Sequence, residues 1–219
     1  MSKAPHCHHT GCCAPTGPAR SAAYRRVLLA ALAINALMFF VEIAAGWRAA
    51  SASLLADALD FAGDAANYGL SLAVLSAAAA WRARAALVKA ASMAAFGVAV
   101  LARTAWLAWS ATLPEAATMG AVGSLALLAN LAVAAMLYAW REGDANMRSV
   151  WLCTRNDALG NLAVVLAALG VFGSGRAWPD LAVAAIMAAL AVSAATAVAR
   201  QARAELRVGA STNGRIIAP

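Results

Sequence analysis

Apolar residues run along this chain in six blocks, at about 26–46, 52–80, 88–112, 117–140, 149–173 and 179–200. Each is close to the roughly 20 residues that a helix needs to cross a bilayer. Turn-forming or charged stretches divide them: Gly46-Trp47-Arg48, Trp81-Arg82-Ala83-Arg84, Pro114-Glu115, the segment from Arg141 to Arg148, and Gly173 to Pro179. Trp47, Trp81, Trp140 and Trp178 fall at block ends, where an aromatic belt would put them. The pattern predicts an all-α polytopic membrane protein, with six transmembrane helices forming one domain over 26–200. Residues 1–25, rich in small and turn-forming types, are expected to be a cytoplasmic tail that stays disordered without a ligand. Residues 201–219 are expected to be a short polar tail on the same side.

Composition supports this reading. Of 219 residues, 63% are hydrophobic and 12% charged, with a mean hydropathy of +0.72. A soluble domain would be about half apolar and about a quarter charged. The net charge of +7 is a topological signal. Most Lys and Arg lie in the first tail, after blocks two and four, and near the C-terminus; Arg48 and Arg176 lie on the opposite side, and Arg103 and Arg155 within blocks. The positive-inside rule then sets both termini in the cytoplasm, and a cytoplasmic membrane is the expected location. No basic stripe with interleaved aromatics is present, so the expected partner is lipid and not nucleic acid.

The chemistry concentrates in block two. Asp57, Asp60 and Asp64 interrupt the run from Ser51 to Asn67. At about 100° per residue they fall near 0°, 300° and 340°, and Asn67 near 280°, so all four share one helix face. Carboxylates at membrane depth are costly and mark ion or proton paths. Block five carries Cys153, Asp157 and Asn161 four residues apart, again on one face. Blocks two and five are antiparallel under this topology, and at about 1.5 Å per residue Asp60 and Asp64 can come level with Cys153 and Asp157. Three carboxylates and a thiolate would make a four-ligand site for a divalent ion, zinc first, with oxygen admitting manganese or cobalt and sulfur admitting cadmium. Ligands must shed protons to bind metal, which couples metal release to protonation. Asp57, Asn67 and Asn161 are candidates to orient these ligands from behind. Asp57 or Glu42 could instead pair with Arg103.

Three of the four cysteines, Cys7, Cys12 and Cys13, sit with His6, His8 and His9 in the first 13 residues. This tract suits zinc, copper or nickel but matches no closed zinc-finger spacing, so it reads as a loose metal-capturing tail in a reducing compartment.

On Gly46, on Ser53-Leu-Leu-Ala-Asp-Ala-Leu-Asp60-Phe-Ala-Gly-Asp64 and on the spaced pair ending at Asp157, the chain resembles the cation diffusion facilitator family of divalent-metal transporters. The family's motif, His or Asp followed four residues later by Asp, falls on Asp60 and Asp64 and on Cys153 and Asp157. The resemblance covers nearly the whole chain. It implies a homodimer that exports zinc or a similar ion from the cytoplasm in exchange for protons, with the metal as substrate, no resident cofactor and no enzymatic activity. Cys153 stands where the family usually has His or Asp, so ion selectivity does not carry over. The family's soluble C-terminal domain is not expected in this chain, and the His/Cys tail is a candidate to stand in for part of its role. Two other classes fit less of the pattern: a membrane-anchored protein that binds or senses metal without moving it, and an intramembrane aspartyl protease.

Overall fold

A computed structural model describes residues 22–73, 79–140 and 145–216. Among these residues there are six α-helices and no strand: α1 (Ala22–Arg48), α2 (Ala52–Ala73), α3 (Ala79–Trp109), α4 (Ala116–Leu137), α5 (Ala145–Ser174) and α6 (Trp178–Ile216). Five are long and apolar enough to cross a membrane. The other is α2, which carries the three aspartates. Boundaries differ from the apolar blocks where helix outlasts hydrophobicity. Helix α1 begins at Ala22, inside the expected tail, α3 begins at Ala79 rather than near 88, and α6 continues to Ile216 through the polar segment after residue 200.

The buried positions of α1 are Tyr24, Leu28, Ala31, Asn35, Met38, Glu42 and Gly46, and those of α4 are Met119, Gly123, Ala126, Asn130, Val133 and Leu137. Steps of three and four residues make one narrow stripe per helix, the pattern of near-parallel helix packing. Both stripes include polar residues. The outward faces carry Leu37, Phe40, Leu128, Leu169, Phe172 and Ile186, exposed residues that are fit to meet lipid. Helix α3 packs chiefly on α6, and Gly97 makes the close approach possible: a Cβ there would lie 2.7 Å from Val192.

One end of α2 is fixed by three other elements. Helix α1 closes with Ser51 N–H donating to Gly46 O at 2.9 Å and Ala50 at φ 51°, a left-handed cap. The next residues start α2, and its first N–H groups are satisfied by Asp180 of α6. That carboxylate accepts from Ala52 N (2.8 Å), Ser53 N (3.0 Å), Ser51 Oγ (2.7 Å) and Ser53 Oγ (2.6 Å). Ser51 Oγ also accepts from Leu54 N at 3.2 Å. An anion at a helix N-terminus is favoured by the unpaired donors and the helix dipole. The α3–α4 turn joins the same knot, through Glu115 N–H to Ala49 O at 2.9 Å. The aspartate-bearing helix is therefore held in register against α1 and α6.

Candidate metal site between two helices

Helix α2 presents its aspartates to the bundle because its apolar residues pack around them: Leu54, Leu59 and Phe61 are buried, as are Asp57 and Asp64. Asp64 and Asp157, on α2 and α5, are side-chain neighbours. Tyr68, one turn along α2, donates its hydroxyl to Asp64 Oδ2 at 3.1 Å and lies 2.6 Å from Thr154 Oγ1. A phenol has one proton, so the Thr154 hydroxyl supplies the proton in the second bond. Asp157 Oδ2 is buried without a hydrogen-bond partner among the described residues.

Asp60 is half-buried, and it faces Gly160 of α5, where a Cβ would come 3.9 Å from its Oδ2. It is within electrostatic range of Asp57, Asp64 and Asp157. The structure thus brings Asp60, Asp64 and Asp157 to one α2–α5 seam, with their carboxyl groups close enough to act on one another. They do not form a closed cage: among the described residues no three His, Cys, Asp or Glu side chains are grouped tightly enough to hold an ion as they stand. Cys153 lies in α5 one turn before Asp157, but its side chain is outside the described residues. So are His6, Cys7, His8, His9, Cys12 and Cys13.

The candidates for supporting roles separate into two groups. Asn67 adjoins Asp64 and accepts a hydrogen bond from Lys89 Nζ on α3, whose ammonium also acts on Asp64. Asp57 and Asn161 are instead joined to each other, with Asn161 Nδ2 donating to Asp57 Oδ2 at 2.6 Å. Asn161 Oδ1 in turn accepts from Asn130 Nδ2 of α4 at 2.7 Å. Arg103 does not take the carboxylate partner expected from sequence. Its guanidinium lies 4.9 Å from the centre of the Trp47 ring. The ring face at the end of α1 gives the cation a partner, while its Nε is buried without a hydrogen bond among the described residues.

Sequence reasoning did not find Tyr68, Thr154 and Lys89. Tyr68 follows Asp64 by four residues, and that spacing was the available signal. An open cleft of about 510 Å³ lies between α2 and α3, lined by Ala66, Gly69, Leu70, Ala73, Val88 and Lys89 among others, beside the Asn67 end of the site.

Carboxyl groups gathered inside an apolar bundle are costly, and such clusters mark ion or proton paths. The family model of the cation efflux transmembrane domain matches residues 28–206. The chain belongs to the cation efflux family. The match spans α2 and α5 with the site between them, and it makes the protein an integral membrane transporter of metal cations. No curated protein sequence matches this cation efflux protein.

Proposed function

We propose that this cation efflux protein exports divalent transition-metal ions, zinc foremost, from the cytoplasm in exchange for protons, using Asp60, Asp64, Asp157 and Cys153 as ligands. The observation that carries the reading is the pairing of Asp64 with Asp157 across two helices, with one Asp157 oxygen buried and unpartnered among the described residues. Like charges so placed require a cation or protons between them. A metal ion on these oxygens displaces protons, and protons arriving from the far side displace the metal. The α2–α3 cleft beside Asn67 is the access route from the cytoplasm, and Lys89 holds Asn67 and offsets the charge of Asp64 while the metal is away. Tyr68 fixes the orientation of the Asp64 carboxylate. The protein works as a homodimer with both termini cytoplasmic, and the His/Cys tail gathers metal at the cytoplasmic surface.

The test is metal flux into everted vesicles that carry a pH gradient, with zinc, cobalt, cadmium and nickel, and with Asp64→Ala alongside. Uptake should collapse both with the gradient and with the substitution. Folded protein that binds metal but moves none of the four ions would overturn transport in favour of a buffering or sensing role. Deleting residues 1–13 tests the tail: unchanged uptake and unchanged metal tolerance would remove its assigned role.

A further inference from the structure

Beyond Asp60, toward the Ala52 end of α2, the bundle holds a second polar cluster that the α2–α5 seam does not use. Glu42 of α1 is completely buried, and neither of its carboxylate oxygens has a hydrogen-bond partner among the described residues. Its carboxyl adjoins that of Asp57, itself buried on α2. Asp57 is tied through Asn161 to Asn130, and Asn130 Oδ1 is again buried without a partner. Four helices each send one polar side chain into this chain of contacts. Its unpartnered atoms are Glu42 Oε1, Glu42 Oε2 and Asn130 Oδ1, all acceptors. Among the described residues no ion pair to Glu42 or Asp57 is seen: the Arg103 guanidinium lies over the Trp47 ring with its Nε buried and unpartnered, and Lys89 binds Asn67 further along α2. Buried polar atoms almost always have partners, so two adjoining carboxyl groups and a bare amide oxygen call for either a proton shared between Glu42 and Asp57 or a bound cation.

We propose that Glu42 and Asp57, with the amide oxygens beside them, form a second cation-binding station, specific for hard divalent ions. The donors are oxygen alone, from carboxylate and amide, with neither sulfur nor imidazole. That set favours manganese- or magnesium-like ions over the softer ions that a thiolate selects. Asp57 lies about 4.5 Å along the axis from Asp60, one helical turn. An ion leaving the α2–α5 seam toward the Ala52 end passes this station next. Its place on an exit route rests on the proposed direction of transport, whereas the binding itself does not.

Titration of the full-length protein in detergent with Mn²⁺ tests the station, with free ion followed by electron paramagnetic resonance. The wild-type chain should bind one more Mn²⁺ than Glu42→Gln. On an Asp64→Ala/Asp157→Ala background, where the seam is removed, a Glu42-dependent ion should remain, and adding Glu42→Gln should weaken it at least tenfold. Unchanged stoichiometry and affinity after Glu42→Gln on that background overturn the station. Should Glu42→Gln fail to fold, Asn130→Asp is the second probe; added charge at the far end of the cluster should tighten Mn²⁺ at least tenfold, and no tightening overturns the proposal. Vesicle flux separates the two readings. Glu42-dependent Mn²⁺ binding without zinc uptake by the wild type removes the transport reading alone. Zinc uptake without Glu42-dependent binding removes the station alone.

Discussion

Asp180 and Glu42 are both acids buried without exposure near the same end of the bundle, and their surroundings are opposite. Asp180 accepts four hydrogen bonds, two from backbone N–H groups and two from serine hydroxyls, all on the first residues of α2. Glu42 accepts none. Asp157 lies between these extremes, with Asp64 at its side and one bare oxygen. A buried charge kept for architecture has its lone pairs filled by the chain itself, because an unfilled one costs stability in a medium without water. Where the chain leaves them empty, a proton shared with a neighbouring acid or a cation must fill them. The difference sorts six acids in one bundle into one structural cap and two groups whose oxygens the chain leaves incompletely paired among the described residues.

The sharpest way to break this comparison is to remove the filled acid. Asp180→Ala strands the first donors of α2 and should cost on the order of 3–5 kcal/mol, since bonds to a charged acceptor are each worth about 1.5–3 kcal/mol and are not additive. Thermal unfolding in detergent reads it. A shift equivalent to less than about 1 kcal/mol would mean that the cap is decorative. Asp64→Asn should do the reverse, lowering zinc flux at least about a hundredfold, or about 2.8 kcal/mol, while the melting temperature holds or rises. Equal damage to stability from both substitutions would erase the distinction.

A pH series sharpens the same contrast. The unfilled acids must lose protons to take metal, so apparent zinc affinity should rise with pH, by up to about tenfold per unit for each proton displaced. Calorimetry in two buffers of different ionisation enthalpy counts those protons, and a count of zero would exclude carboxylate-coupled exchange. Tyr68→Phe has a smaller expected effect. It removes one hydrogen bond to Asp64 and one to Thr154, and about 1 kcal/mol lost in holding the carboxylate corresponds to roughly fivefold weaker zinc binding. If binding is unchanged, Tyr68 is packing and nothing more.

These residues also show what the sequence could reveal. Helix positions followed from apolar length, and the alignment of Asp60 and Asp64 on one face of α2 followed from the helical period. Their meeting with Asp157 was accessible through topology and depth. The split of the supporting polar residues was not. Asn130 is an isolated polar residue in an apolar run, and only the approach of α4 to α5 gives it Asn161. Asp180 reads as an ordinary acid in the first turn of a helix; its value comes from contacts 127 to 129 residues away in sequence. Arg103 shows the limit of pairing charges by depth, since the ring of Trp47 competed for it and won. Long-range partner choice depends on helix rotation, which local periodicity leaves open.

The smallest effect concerns the filled end. Ala50 holds φ at 51° and Ala111 at 49°, both closing turns on the same side of the bundle. A Cβ in this region crowds the following carbonyl, at a cost of about 1–2 kcal/mol that glycine avoids. Glycine also adds freedom to the unfolded chain, worth about 0.4–1 kcal/mol against it. Ala50→Gly should therefore gain about 0.5–1 kcal/mol. The Asp180 cap begins two residues later, so a gain confined to Ala111→Gly would mean that Asp180 already holds the α1–α2 turn against its own strain. Equal gains at both turns would mean that the cap acts on α2 alone.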